Sequence, residues 1–265
     1  QMCIRDRYNA DPWLSSAVKG AALGLALSLV VLLIAASLRR TVSSTGDVKR
    51  LVNLSCLASI PRTTPKRRKS GAQTGLLISH MQTDSAFCEA YRLLRLKLLR
   101  QLKEEDKILM VTSSVPSEGK SSVSVNLALS LAREGKKVLL IDGDLRGPSD
   151  KALLGITKPS EGLGQCLSGS LDQVHFLRYE DTSLYVFAGS QPIQSPMNLL
   201  QYDKLEALMN TLRPMFDYIV LDTPPCAMMA DALALCRHVD RVVYVIREDF
   251  AATTPVSYTH LRAHE

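Results

Sequence analysis

The stretch "TSSVPSEGKSS", residues 112–122, decides the fold of this 265-residue chain. Aligned on the spacing GxxxxGK[ST], Gly119, Lys120 and Ser121 fill the last three fixed positions, and Ser114 stands where the first glycine belongs. The flanks carry the argument. "KILMVTS" (107–113) reads as a buried strand and "KSSVSVNLALSLAREG" (120–135) as a helix closed by Gly135. Strand, loop and helix in that order let the main-chain amides of residues 116–121 wrap phosphates at a helix N-terminus. A serine in place of the first glycine is tolerated if its backbone stays at negative φ.

In such a loop Lys120 reaches the β and γ phosphate oxygens and the Ser121 hydroxyl ligates Mg²⁺. Ser114, Pro116, Ser117, Glu118, Gly119 and Ser122 complete the expected nucleotide-binding set.

Downstream, "KVLLID" (137–142), "LYVFAG" (184–189), "DYIVLD" (217–222) and "RVVYVIR" (241–247) are short and continuously apolar. Continuous apolarity marks strands covered on both faces, hence a mostly parallel sheet flanked by helices in an α/β sandwich. Three of the acids in this region end such strands or follow them closely. "VLLIDGDLRGPS" places Asp142 and Asp144 just past one strand, and "IVLDTPP" ends another with Asp222. The C-terminal edge of a parallel sheet is where ligands bind, so all three can face one phosphate group. A lone acid after a strand is ordinarily a turn residue; three beside a phosphate loop point to a metal and a nucleotide.

Residues 21–38, "AALGLALSLVVLLIAASL", contain no charge. As a helix they extend roughly 27 Å, close to the hydrocarbon thickness of a bilayer. Arg39, Arg40, Lys49 and Arg50 follow, then "KRRK" at 66–69, which puts the C-terminal side in the cytoplasm by the positive-inside rule. Net charge is divided unevenly: residues 1–69 hold 12 Lys+Arg against 3 Asp+Glu, whereas 70–265 hold 20 against 23. The basic excess thus sits beside the apolar helix, where it suits anionic headgroups, and not on the folded part, so nucleic acid is excluded as a partner. The six cysteines (3, 56, 88, 166, 226, 236) lack the close spacing of zinc or redox motifs and read as reduced thiols.

The domain plan is then 1–16 as a partial extracytoplasmic segment, 17–38 as a transmembrane helix, 39–84 as a basic linker and 85–254 as the catalytic α/β domain. Residues 62–84, rich in Thr, Pro, Ser, Gly and basic residues, read as mobile. "QMCIRDR" (1–7) and the tail from 255 on resemble translated sequencing adapters, so the chain is expected to be an internal fragment whose native sequence continues in both directions, with the catalytic domain truncated at its C-terminal side.

The phosphate loop followed by "LLIDGDLR" and "IVLDTPP" resembles the bacterial tyrosine kinases, a branch of the P-loop ATPases that includes the MinD and ParA types. The cousins carry a signature lysine five residues before the loop lysine; here that position is Val115. "EAYRLLR" is similar to the family's ExxRxxR helix, and the resemblance implies that Glu89, Arg92 and Arg95 build a ring of subunits that phosphorylate in trans. "GDVKRLVNLSCLASIPR" after the apolar helix is similar to the end of a polysaccharide chain-length regulator domain. The resemblance therefore implies an ATP- and Mg²⁺-dependent protein-tyrosine autokinase of the bacterial inner membrane, with its kinase domain cytoplasmic. Its implied partners are polysaccharide polymerisation and export proteins and a tyrosine phosphatase. Lys120, Asp142 and Asp144 are its implied catalytic residues, with Ser121, Asp144 and Asp222 on Mg²⁺ and Asp142 orienting or deprotonating the incoming phenol.

The family's C-terminal tyrosine cluster has no counterpart among the eight scattered tyrosines. "AGSQPIQSPMNLL" (188–200) follows the family's loop only loosely. Two other readings stand beside the kinase: a membrane-associated ATPase switch, and a non-catalytic polysaccharide regulator that only binds nucleotide.

Overall fold

The structure is a computed structural model that describes residues 12–38, 56–63, 76–81, 85–169, 175–248 and 250. The two terminal strings, the "KRRK" run and the basic residues at 39, 40, 49 and 50 lie outside the described residues. Two compact units emerge, 1–41 and 42–265.

The first unit contributes one helix, α1 (Pro12–Leu38). Its segment Ser16–Ile34 is long and apolar enough to cross a membrane, and it is exposed along its length. The helix begins five residues ahead of the span assigned from hydropathy, at Pro12, a residue whose fixed φ and missing N–H suit the first turn of a helix.

The second unit is a six-stranded sheet with helices on both faces. In chain order it comprises α2 (Ala86–Leu99), β1 (Ile108–Ser113), α3 (Lys120–Ala132), β2 (Val138–Asp142), α4 (Asp150–Leu154), α5 (Leu163–Ser168), β3 (Leu177–Arg178), β4 (Leu184–Phe187), α6 (Tyr202–Leu212), β5 (Tyr218–Asp222), α7 (Ala230–Cys236) and β6 (Arg241–Val245). The strand order is β3-β4-β2-β5-β1-β6. All pairings are parallel except β3 with β4. A two-residue edge strand leaves no periodic trace in a sequence, so β3 was not legible there.

Alternation along the central strands feeds two cores. Leu109, Val111, Val138, Leu140 and Val220 pack with Tyr91, Leu94 and Leu98 of α2 and with Val125, Leu127 and Leu129 of α3. Ile108, Leu139, Ile141, Ile219 and Leu221 pack with Leu163 and Leu167 of α5, with Leu205, Leu208 and Leu212 of α6 and with Leu235 of α7. Both faces are covered, which is why β1, β2 and β5 read as unbroken apolar runs. β6 departs from that expectation. It is the outermost parallel strand, and Val242 on it is 48% exposed.

The described part of the linker also departs from its reading. Leu77 and Ile78 are buried, and Leu57, Ala58 and Ile60 pack against the same core. The Asn126 side chain of α3 receives the Ile78 amide on Oδ1 and donates Nδ2 to the Leu76 carbonyl, both at 2.8 Å. Composition suggested a mobile stretch over 62–84, but Leu76, Leu77 and Ile78 and the buried Asn126 amide dock its described part.

Candidate functional site

The sheet places the C-terminal ends of β1, β2 and β5 side by side. β5 lies between the other two, with Asp142 directly opposite Asp222 and Val111 opposite Asp222 on the other side. The loop after β1 turns back into α3 through Gly119, whose φ of 95° is a left-handed conformation that glycine adopts at little cost. Ser117 takes φ 66° in the same loop, whereas Ser114 is not among the positive-φ residues, as its serine side chain requires.

The side chains of the loop divide by direction. Ser114 is fully buried and points back to β6, its Oγ 2.5 Å from the Tyr244 hydroxyl. Glu118 is also buried; its carboxylate accepts the Val115 amide at 2.9 Å and the Arg247 amide at 3.3 Å, which ties the loop to the segment after β6. Burial pushes the Glu118 carboxyl up, against those backbone hydrogen bonds. For Ser114 and Glu118, then, the side chains brace the loop from behind. Pro116, Ser117 and Gly119 are exposed. Ser121 and Ser122 lie half-buried in the first turn of α3, with the Ser121 hydroxyl 3.5 Å from Lys120.

Lys120 bridges the acids. Its ammonium donates to Asp144 Oδ2 at 2.8 Å and lies 4.0 Å from Asp222 Oδ2. Burial draws its pKa down, but the charges of Asp222 and Asp144 outweigh that, and the amine is held above its ordinary value.

Asp142 is buried and tightly held. Its Oδ2 accepts the amides of Ser149 and Asp150 at 2.8 and 3.0 Å, and its Oδ1 accepts the Asp144 amide at 3.2 Å. Burial, then the charge of Asp222, push Asp142 up to about 7 in spite of the Ser149 and Asp150 hydrogen bonds. Asp222 is equally buried; burial raises it, while Lys120 and the hydroxyl of Ser124, 2.9 Å from Oδ1, pull it back. Gly143 makes the close approach of the two strand ends possible. Its amide donates to the Asp222 carbonyl at 2.7 Å, and a Cβ there would lie 2.7 Å from the same oxygen.

One acid escaped the sequence reading. Asp150, in the first turn of α4, is fully buried, and neither carboxylate oxygen has a hydrogen-bond partner. Oxygens of Asp142, Asp150 and Asp222 lie within 4.8 Å of one another. Its sequence setting, "GPSDKALL", offered only the ordinary signal of an acid in a helix's first turn. At an effective interior dielectric, two like charges 4 Å apart repel by about 4 kcal/mol. Such a set is stable only with protons or cations added, and oxygen donors of this kind suit a hard divalent cation.

Of the residues expected to form a subunit interface, two are exposed and one is not. Glu89 and Arg92 pair with each other at 2.9 Å on the surface. Arg95 is buried: it donates to the Ser130 carbonyl at 2.9 Å and pairs with Glu134 in the same chain. The three therefore do not share one surface: Arg95 is held against α3 within the chain. Positions i, i+3 and i+6 sweep about 120° of a helix, enough for the last to reach the stripe of Tyr91, Leu94 and Leu98 that packs on α3.

A profile described as the NUBPL iron-transfer P-loop NTPase, of the ParA family, matches residues 104–257. The chain belongs to the ParA family of P-loop NTPases. This ParA-family chain is 40% identical over 145 residues to the tyrosine-protein kinase CpsD of Streptococcus pneumoniae serotype 4, which covers 52% of the chain and 62% of that relative. It is 28% identical over 265 residues to the tyrosine-protein kinase etk of Escherichia coli K12, across 94% of the chain and 36% of the relative. The chain thus spans less than two thirds of either. Among solved structures, the kinase domain of Escherichia coli tyrosine kinase ETK matches with a TM-score of 0.74 at 26% identity, covering 84% of this chain and 89% of that one. Membership of the P-loop NTPase family implies nucleotide binding.

Proposed function

We propose that the chain is a protein-tyrosine kinase that transfers the γ-phosphate of ATP to a tyrosine hydroxyl. The observation that carries the reading is the meeting of Lys120, from the start of α3, with Asp144 past β2 and Asp222 at the end of β5. The likeness to relatives named tyrosine-protein kinases supports it over other P-loop chemistries. So does Val115, which stands where a lysine marks the switch-type ATPases.

Phosphoryl transfer asks the protein chiefly for position and charge. The amides of 117–121 hold the phosphates, Pro116 having no N–H to give, and Lys120 exchanges part of its contact with Asp144 for the β and γ oxygens. Ser121, Asp144 and Asp222 would hold Mg²⁺, which when bound offsets phosphate charge. Asp142, with a carboxyl pushed up to about 7, orients the phenol or takes its proton as the bond forms. A tyrosine near pKa 10 gains from a base raised towards the working pH.

The kinase acts at the membrane, anchored by α1, with its catalytic part in the cytoplasm. It associates with copies of itself through the exposed Glu89–Arg92 side of α2. It regulates capsular or exopolysaccharide synthesis alongside polymerisation and export proteins and is reversed by a tyrosine phosphatase.

The test is incubation of the detergent-purified chain with γ-labelled ATP, Mg²⁺ and a Glu/Tyr copolymer. Phosphotyrosine that disappears in Lys120→Met and falls at least a hundredfold in Asp142→Asn supports the reading, a carboxylate base being worth roughly 10²–10⁴. Phosphate release without phosphotyrosine would establish an ATPase switch instead, and bound but intact ATP a non-catalytic regulator.

A further inference from the structure

We infer that Asp142, Asp150 and Asp222 form a buried pocket for a divalent cation that binds before, and without, any nucleotide. In the common arrangement of P-loop sites the cation is held through the nucleotide phosphates, a loop hydroxyl and one strand-end acid. Asp150 changes that inventory.

Two observations point to an occupant. Oxygens of the three carboxylates lie within 4.8 Å of one another, a span that one cation with oxygen contacts of roughly 2.1–2.5 Å can bridge. Independently, three oxygens in this buried place make no hydrogen bond: both of Asp150 and Oδ2 of Asp222. The remaining oxygens are used. Asp222 Oδ1 accepts Ser124, Asp142 Oδ2 accepts the amides of Ser149 and Asp150, and Asp142 Oδ1 accepts the Asp144 amide. The hydrogen bonds therefore orient Asp142 and Asp222 while leaving unsatisfied oxygens in the same cluster.

The neighbouring charge does not satisfy the set. Lys120 is the one ammonium that the described contacts bring to these acids, and it hydrogen-bonds Asp144, standing 4.0 Å from Asp222. Buried polar atoms without partners are costly, and buried carboxylates more so, so an occupant with two positive charges is what this geometry favours. Mg²⁺ dehydrates reluctantly and keeps several waters, which a dry three-carboxylate pocket does not accommodate well. The preferred class is therefore an oxygen-seeking cation that sheds water more readily, and Mn²⁺ is the probe.

The pocket shares Asp142 and Asp222 with the site of the proposed kinase reaction, but it rests on neither ATP nor tyrosine. The experiment keeps the two apart. The full chain, purified in detergent and stripped with EDTA, is titrated with Mn²⁺ in the absence of nucleotide, free Mn²⁺ being followed by electron paramagnetic resonance. One site per chain is expected, with Ca²⁺ displacing Mn²⁺ more effectively than Mg²⁺ does. Asp150→Asn should weaken it at least tenfold, the lower end of the loss seen when even an outer contact of a metal site is removed. Circular dichroism checks that Asp150→Asn is folded; if it is not, Asp150→Val, which removes the charge without leaving an amide to satisfy, takes its place. Absence of Mn²⁺ binding by the nucleotide-free parent overturns the inference. So does a folded Asp150 variant that binds Mn²⁺ as tightly as the parent, or binding that appears only once ATP is added. Phosphotyrosine formation is read in the separate γ-labelled ATP assay, so either reading can fail while the other stands.

Discussion

The hydroxyl of Ser114 lies 2.5 Å from that of Tyr244. The residue that replaces the first glycine of the phosphate loop is thus anchored on β6, the outermost parallel strand. Glu118 adds a second tie four residues on, through the Arg247 amide. A loop with one glycine fewer gains stiffness from its neighbour strand.

Tyr244→Phe should therefore lower stability by about 1–3 kcal/mol, because it strips the buried Ser114 hydroxyl of its acceptor or donor. Adding Ser114→Ala should recover part of that loss, since the orphaned hydroxyl is then gone. Urea unfolding of the two single variants and the double variant gives the coupling; simple additivity would contradict a direct contact.

Gly143→Ala forces a Cβ to within 2.7 Å of the Asp222 carbonyl, with Leu221 and Leu235 methyls at 3.1 Å. Overpacking of this kind costs about 1–3 kcal/mol and should displace Asp222 as well. Gly147, four residues on, has nothing within 4 Å of its would-be Cβ, so Gly147→Ala should leave both melting temperature and nucleotide affinity near the parent values. Thermal unfolding with and without ATP separates the two.

Arg95 and Arg92 should behave oppositely. Arg95→Ala leaves the Ser130 carbonyl and the α2–α3 contact without their charged donor, at a cost of about 1.5–3 kcal/mol in the monomer. Arg92→Ala removes an exposed ion pair, a change that typically amounts to under about 1 kcal/mol, and should instead reduce assembly size in light scattering. If Arg92→Ala melts earlier than Arg95→Ala, the assignment of the two faces is wrong.

Asp240 gives a pH signature. Its carboxylate accepts the amides of Lys107 and Ile108 and pairs with Arg213 at 2.7 Å. Burial pushes the carboxyl up, but Arg213 and the amides outweigh it, so its pKa is held below the ordinary value. A depressed acid stabilises the fold above its unfolded pKa, roughly pH 4, and that contribution disappears as pH falls through the lower folded value. The stability gap between parent and Asp240→Asn should be widest at neutral pH and should narrow below pH 4, measured by denaturant unfolding across that range.

The strand-end acids were legible because each closes an apolar run, and an apolar run says where the sheet's ligand-binding edge lies. Lys120 was legible from spacing alone. Asp150 was not, because nothing local distinguishes a helix-starting acid that faces solvent from one that a turn folds beneath Asp142. The burial of Arg95 was not legible for a related reason: a charge pattern gives angles around a helix but not the depth of the neighbouring groove. β6 looked interior because its apolar residues match those of β1, and only the strand order reveals that one flank of it is open. Tyr244 carried no signal as the partner of Ser114, since the two are 130 residues apart.

The docking of Leu77 and Ile78 bears on how the chain is cut down for crystallisation or assay. A soluble piece begun at Ser85, where α2 starts, would leave the Asn126 amide facing a vacated groove and bare an apolar strip of the α3 face. Such a piece would be sticky and short-lived in solution for reasons unrelated to catalysis. A cut placed ahead of residue 56 keeps the strap in place, so protease mapping should find residues 76–81 among the slower sites to be clipped.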